Sequence, residues 1–388
     1  MREPARLMAA IEIVDAIIVA ARTGGAAADT LIQRYFSTRR YAGSKDRAAV
    51  RELVYAAIRY SAELPASGRA ALLGLTTTRP ELLPLFDGSA HAPALPAADE
   101  PRAAPGLVPA WLIPAFLRRF GASWQDEATA LLGRAPLDLR VNSLRTADPD
   151  AVASALPVQA QPIPGLPLGL RLETPVALDH HPLMHNGSIE VQDAASQHSV
   201  ALANPRPGDF VIDLCAGAGG KTLALAAAMA GEGRILATDV DRARLTAMGP
   251  RLARSGAEAM VERRLLNPNR ESGALADVAG QADLVFVDAP CSGTGTWRRN
   301  PELRWRLTPK RLEQLIAVQH RLIALAQQLV RPGGRLAYAV CSVMREEGAD
   351  QVMRALPAPD WREVARAEFS PAREGCDGFF VATMEKCP

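Results

Sequence analysis

Two cysteines stand where a chain commonly places reactive groups. In "DLVFVDAPCSGTG" (283–295) an apolar run ends at Asp288, and Pro290, Cys291 and a glycine turn follow. Fifty residues after Cys291, "GRLAYAVCS" (334–342) ends a second apolar run in Cys341-Ser342. Open α/β sheets carry their sites beyond the carboxyl ends of strands. A thiol there is a candidate nucleophile, because its pKa of about 8.5 can be lowered locally and it also leaves readily. The plainer alternative is a small buried hydrophobe, the commoner fate of a free cysteine. Asp288 places a carboxylate at the first of the two tips.

A third tip precedes these. "VIDLCAGAGGKT" (211–222) is a strand, a glycine-rich turn and a helix start. Glycines let a ligand approach the backbone, and a helix N-terminus offers free N–H groups. The spacing is neither GxGxxG nor GxxxxGK[ST]. The next strand ends in "ILATDVD" (235–241), which places a carboxylate at its tip, suited to ribose hydroxyls. Asp239 is the chosen residue, and Asp241 reads as the cap of the following helix. Loop and acid together suggest an adenosine-containing ligand.

The elements that position these tips alternate. From Phe210 the runs VIDL, ILATD, VERRLL, DLVFVD, RLAYAV and GFFVATM are separated by helical stretches, which implies a parallel, doubly wound sheet. Residues 191–388 are taken as this domain, and 131–190 as a small α/β subdomain opening with the strand-like "PLDLRVNSLR" (136–145). Arg140 and Asn142 in it read equally as RNA contacts or as part of a sheet edge. Residues 1–130 read as helices: "ARLMAAIEIVDAIIVAA" and "SKDRAAVRELVYAAIRYSAEL" space apolar residues by three and four. Ser44 and Asp46 fit the first turn of the second helix. A proline-rich stretch from Pro84 to Pro109 reads as an exposed connector.

The chain has 388 residues, 48% hydrophobic and 22% charged, as expected of a soluble globular protein. No apolar run reaches the roughly 18 residues of a membrane span. The cysteines 215, 291, 341, 376 and 387 are odd in number and form no CxxC pair, against a disulfide framework or a zinc knuckle. Cys376 and Cys387 carry no motif. His180, His181, His185 and His198 lack an accompanying carboxylate spacing, so no metal is expected. A reducing cytoplasm and a monomer are the expectation. The net charge of +2 does not by itself predict nucleic acid. Between Trp297 and Arg311, however, Arg298, Arg299, Arg304, Arg306, Lys310 and Arg311 face a single acid, Glu302, and interleave with Trp297 and Trp305. A second basic region holds Arg34, Arg39, Arg40, Lys45, Arg47 and Arg51. Either run reads as a solvated face or as an RNA surface, and the tryptophans favour base stacking in the first.

"DLCAGAGGKT", "DAPCSGTG", "YAVCS" and the upstream "QDAASQ" (192–197), in this order, resemble the Sun/RsmB-type S-adenosylmethionine-dependent RNA cytosine-5 methyltransferases. The N-terminal helices resemble the NusB-like RNA-binding domain of bacterial members. The resemblance implies a Rossmann-like class I methyltransferase sheet in the order 3-2-1-4-5-7-6 with an antiparallel last strand, which GFFVATM fits. It implies S-adenosylmethionine as cofactor, held by Cys215, Ala216, Gly217, Ala218, Gly219, Gly220 and Lys221, by Asp239 and by Asp288. The family loop usually reads CAAPGGKT, so Gly217 and Ala218 depart from it. A family acid after strand three is missing, and Asn267 in "RRLLNPNRE" stands in its place.

The resemblance also assigns the cysteines. Cys341 is the nucleophile toward C6 of cytosine, Cys291 acts in release of the adduct, and Asp288 holds the N3 edge. Lys221 reads either as an aid near the base or as part of the helix start. Gln192, Asp193 and Ser196 would border the cofactor pocket. Arg298, Arg299, Arg304, Arg40 and Lys45 are the candidate RNA contacts, and small-subunit (16S) rRNA is the expected substrate. The alternatives are a tRNA cytosine-5 methyltransferase, a DNA methyltransferase using the Pro-Cys of strand four, and a non-catalytic RNA-binding protein with a degenerate sheet. The second cysteine tip argues against the DNA enzyme, and the intact Asp239, Asp288, Cys291 and Cys341 argue against degeneracy.

Overall fold

A computed structural model describes residues 1–146, 148–355 and 360–387. The chain folds as two compact units, Met1–Arg134 with Thr296–Arg311 and Ala135–Gly295 with Leu312–Pro388.

The first unit is helical. Helices Glu3–Thr23, Ala28–Ser37, Ser44–Tyr60 and Gly68–Leu75 bury Leu7, Ile13, Ile17, Phe36, Val54, Ile58 and Leu72 in one core. Gly43 caps the third helix, and Asp46 reaches back to accept the Gly43 N–H at 3.3 Å. Gly68 is required by close approach, since a Cβ would lie 2.2 Å from the Ile11 carbonyl oxygen. The proline-rich connector is tied to the helices by Ala103 N–H to Ala70 O and Gly106 N–H to Tyr60 O, each 2.9 Å.

The segment Thr296–Arg311 belongs to this unit, and it corrects the RNA-surface reading of that run. Trp297 is fully buried and stacks on Phe116, and Trp305 sits in the helical core, donating its indole N–H to Ser61 O at 3.0 Å. Arg304 is 1% exposed. Its guanidinium donates to the carbonyls of Leu107 (2.9 Å), Gly106 and Ile58. Burial draws it down to about 9, and the nearby Arg59 adds to the shift. Arg304 is therefore an internal strut and no RNA contact, because its donors are spent on backbone carbonyls of the helical unit. Arg306 likewise donates to Gly25 O at 2.8 Å. Arg298 and Arg299 are half-buried, whereas Arg40, Lys45, Lys310 and Arg311 are exposed.

The second unit holds two sheets. Strands β1 (Leu137–Val141), β2 (Ala160–Ile163), β3 (Leu166–Leu172) and β4 (Ile189–Val191) form an antiparallel sheet in the order β2-β3-β1-β4. Asn142 ends β1 inside the protein, its amide donating to Gly187 O and Ser255 O, both at 2.9 Å.

The larger sheet contains β5 (Phe210–Asp213), β6 (Arg234–Asp239), β7 (Val261–Leu265), β8 (Ala282–Asp288), β9 (Val330–Val340), β10 (Trp361–Phe369) and β11 (Phe379–Lys386). Its order, β7-β6-β5-β8-β9-β11-β10, is the expected 3-2-1-4-5-7-6. β11 runs antiparallel to β9 and β10, and the other pairs are parallel. Alternate residues feed two cores: Leu284 and Phe286 on one face, Val285 and Val287 on the other. Burial of both faces is why these strands read as unbroken apolar runs. Each such side chain contributes roughly 1.5–3 kcal/mol by leaving water.

Candidate active site

β5 pairs with β8 and β8 with β9, all parallel, so three neighbouring strands end on the same edge. The ladder runs one residue past Asp288, where Ala289 N–H meets Ala339 O at 2.9 Å. Pro290 has no N–H to continue it, and the chain turns off into Cys291. Cys341 leaves β9 beside it. The two sulfurs lie 3.3 Å apart, within hydrogen-bond reach, and both residues are half-buried. The turn after Cys291 is fastened to the same place. Gly295 N–H donates to Cys341 O at 3.1 Å, and Gly378 N–H donates to Gly295 O at 2.8 Å. A Cβ on Gly295 would lie 1.8 Å from Gly378 O, so only glycine permits this approach. The Cys291 thiol is pushed well above its ordinary value by the hydrogen bond with Cys341 and by burial.

Lys221 donates to Asp288 Oδ2 at 2.7 Å, and its ammonium lies 5.2 Å from the centre of the Phe379 ring. Burial alone would pull the ammonium down, but Asp288, with Cys341 and Asp213 adding to it, holds it above its usual value. Lys221 thus keeps its charge beside Asp288.

The cofactor loop has the local geometry its glycines suggest. Gly217 and Gly219 adopt left-handed φ values of 56° and 88°. A Cβ at Gly217 would meet nothing within 4 Å, whereas one at Gly219 would strike Met248 at 2.6 Å. Asp239 accepts from Gly217 N–H and from Asp241 N–H, both at 2.8 Å. Asp241 caps helix Arg242–Ser255 through Ala243 and Arg244 N–H. Asn267 is exposed in the turn after β7. Behind the loop, Asp213 is fully buried and accepts from Thr222 Oγ1 at 2.7 Å. Burial pushes its carboxyl up to about 7, against the lowering by that hydrogen bond. Burial also raises the Cys215 thiol well above its ordinary value.

Gln192 links the small sheet to the loop. Its amide donates to Gly220 O and Ser196 Oγ, each at 3.3 Å, and its oxygen accepts from Arg140 Nε at 2.8 Å. Asp193 caps helix Ala194–Ala203 and accepts from Asp377 N–H at 3.2 Å. His181 caps the short helix Pro182–His185, and His198 stacks on Phe369. Among the described residues, no group of three or more His, Cys, Asp or Glu could hold a metal ion, and no helix is long and apolar enough to cross a membrane.

Sequence reasoning missed Thr294, Gln319 and Glu347. Glu347 is fully buried and accepts from Ser292 and Ser342, the residues that follow the two cysteines. The acidic pair Glu346-Glu347 shortly after Cys341 was its only trace in the sequence.

The strand order, the loop at the tip of β5 and the acid at the tip of β6 define a class I methyltransferase fold. A family model described as 16S rRNA methyltransferase RsmB/F matches residues 200–385, and one described as an RsmF/B-like ferredoxin-like domain matches 108–179. Over these residues the chain is similar to the RsmB/F methyltransferase family. It is 32% identical over 290 residues to the ribosomal RNA small subunit methyltransferase B of Salmonella arizonae, and equally to that of Yersinia pseudotuberculosis. Each match covers 72% of this chain and 66% of the relative, just under two thirds of its length. A solved methyltransferase homologue from Pyrococcus horikoshii is 25% identical with a TM-score of 0.63, covering 72% of this chain and 96% of its own. The solved structure of PH0851 shares the fold over 100% of both chains, with 22% identity and a TM-score of 0.78.

Proposed function

We propose that this protein methylates C5 of a cytosine in RNA, with small-subunit rRNA as substrate and S-adenosylmethionine as methyl donor. The observation that carries the reading is the pair of sulfurs 3.3 Å apart at the tips of β8 and β9, beside the loop of β5.

The residues present suit the cofactor. Gly217 opens into free space, the helix that starts at Gly220 presents its first turn to the loop, and Asp239 stands against that loop. Cys215, Ala216, Gly217, Ala218, Gly219, Gly220, Lys221, Asp239 and Asp288 would hold it, with Asn267 at the edge. When bound, it supplies an electrophilic methyl group.

C5 of cytosine is too weak a nucleophile alone. The Cys341 thiolate adds to C6, forming the S–C6 bond and moving the C5–C6 π pair to C5, which then takes the methyl. Asp288 holds the N3 edge, and a proton passed to N3 across the Asp288–Lys221 pair neutralises the charge that builds there and returns when the S–C6 bond breaks. For release, the Cys291 thiol returns a proton to the leaving Cys341 sulfur and its thiolate takes the C5 proton. The electron pair of the C5–H bond restores the double bond as S–C6 breaks, and the C5 proton ends on the thiol pair. The raised Cys291 thiol supports this division, since it stays protonated within 3.3 Å of the Cys341 sulfur. The cytosine must leave any stack to reach this edge.

The names of the curated relatives support rRNA as substrate, and the cytoplasm is the proposed place of action, with the protein a monomer. On the helical unit, Arg40 and Lys45 flank Tyr41, which is 73% exposed, and form the proposed RNA contact. Arg298 and Arg299 join it as lesser contributors. Bisulfite mapping of rRNA and tRNA from a strain lacking the protein tests the reading. One 16S cytosine should lose its mark and regain it on addition of purified protein. A lost mark in tRNA instead would move the substrate, and no lost mark would overturn the reading.

A further inference from the structure

The carboxylate of Glu347 gathers both cysteine-bearing turns. Oε1 accepts from Ser292 N–H at 2.8 Å and from Gln319 Nε2 at 2.9 Å. Oε2 accepts from Ser342 Oγ at 2.6 Å and from Ser292 Oγ. Ser292 follows Cys291 and Ser342 follows Cys341, so one side chain is bonded to the neighbour of each sulfur. The surroundings complete the arrangement. Ser342 Oγ lies 3.0 Å from Thr294 Oγ1 and accepts from Met344 N–H at 3.0 Å, and Thr294 Oγ1 accepts from Val343 N–H at 3.1 Å. Gln319 also donates to Pro290 O at 3.0 Å, on the other side of Cys291. Glu347, Ser342, Thr294 and Gln319 are all at most 1% exposed.

The chemistry requires an acceptor at the centre. The Ser292 amide can only donate, and both serine hydroxyls point their oxygens at the same carboxylate oxygen. A carboxylate has about four lone-pair sites, and here it receives four donors. Such a fully satisfied buried network fixes its members to one geometry. Besides Glu347, the two turns, 50 residues apart in sequence, are joined near the sulfurs by Gly295 N–H on Cys341 O and by hydroxyl contacts of Thr294 and the serines, but only Glu347 bonds the residues after both cysteines through a fixed charge.

We propose that Glu347 is a positioning residue that sets Cys291 and Cys341 at their working separation through Ser292 and Ser342. This rests on the two-cysteine reading above. It acts without touching substrate, so its loss should reduce turnover while binding of RNA and cofactor persists. Misplacement of a reacting group by about 1 Å costs on the order of 100-fold in rate.

The test compares Glu347→Ala, Glu347→Gln, Ser342→Ala and Ser292→Ala in the full chain, each checked for folding by thermal melting. Steady-state kinetics should show kcat reduced about 10- to 100-fold in Glu347→Ala with KM for RNA within about twofold. Glu347→Gln should recover a large part, since its oxygen still accepts from Ser292 N–H and Gln319 while the hydroxyls can turn to accept from its amide. Ser342→Ala should slow formation of the RNA adduct, and Ser292→Ala should slow its release. A substrate-free readout separates this inference from the functional one. Phenylarsine oxide bridges two adjacent thiols, so its capture rate reports their separation, with Cys291→Ala as the blank. Wild type should be captured faster than Glu347→Ala. Equal capture and equal kcat in a folded Glu347→Ala protein would overturn the inference even if the enzyme methylates RNA. Fast capture by wild type and slow capture by Glu347→Ala would support the clamp even if the RNA chemistry proved different.

Discussion

The sulfur of Cys341 lies 3.3 Å from that of Cys291, on turns that leave neighbouring parallel strands. Position alone treats the two alike, and the roles must be separated by what survives mutation. Cys341→Ala should neither methylate RNA nor become covalently attached to it. Cys291→Ala should attack and transfer the methyl but fail to release. On a denaturing gel with RNA and S-adenosylmethionine, a slow-migrating adduct should accumulate in Cys291→Ala and vanish in the double variant. The reverse pattern would assign attack to β8, and full activity in both single variants would sink the covalent mechanism.

Asp239 joins the cofactor loop to the second strand by accepting Gly217 N–H at 2.8 Å. Asp239→Ala removes this tie and the carboxylate proposed for the ribose. Hydrogen bonds to a charged group are worth roughly 1.5–3 kcal/mol each, so cofactor affinity should fall at least about tenfold. Calorimetry on a folded variant checks this, and unchanged affinity would place the ribose elsewhere.

The sheet was legible because burial on both faces makes β5, β6, β8 and β9 contiguous apolar runs that stop at polar tips. β10 was not named among the runs, because "WREVARAEF" is an edge strand whose charges hide its period. The cap at Asp241 was legible because its partners are two and three residues away. Glu347 was not, because its partners Ser292 and Gln319 lie 55 and 28 residues off. The run from Trp297 to Arg311 was misread for a related reason. Composition shows that Arg304 and the tryptophans are basic and aromatic, but only packing shows that they face inward, their donors on carbonyls of the helical unit.

Asp213 gives the fold a pH dependence. Its folded value of about 7 lies above the ordinary carboxylate value, burial being the main cause. Between the two values the folded state binds the proton that the unfolded chain has released, so stability must fall as pH rises. The contribution is fully present below about pH 4 and lost as pH passes through 7. Asp213→Asn cannot ionise and can still accept from Thr222. Its melting temperature relative to wild type should therefore climb from about pH 4 to about pH 8. Between the unfolded and folded values, the underlying stability difference grows by about 1.4 kcal/mol for each step of one in pH. A difference that stays flat across this range would show that the carboxyl ionises in the folded protein as it does in water.

The basic residues of the helical unit should divide by burial. Arg40 and Lys45 are exposed beside Tyr41, whereas Arg304 is 1% exposed and bonded to carbonyls. A cation on a phosphate releases counterions, so its loss should lower the slope of log affinity against log salt by roughly 0.7 per single-strand contact. Arg40→Ala with Lys45→Ala should flatten that slope and leave the melting temperature near wild type. Arg304→Ala should do the opposite. It strips donors from buried carbonyls, each costing roughly 1–3 kcal/mol, and so lowers the melting temperature without changing the slope of the protein that stays folded. Filter binding of 16S rRNA fragments across a salt series, with melting curves for the same proteins, checks both. A wild-type slope in the Arg40 and Lys45 variant would make that patch a solvated surface, and a flattened slope in a stable Arg304 variant would return Arg304 to the RNA.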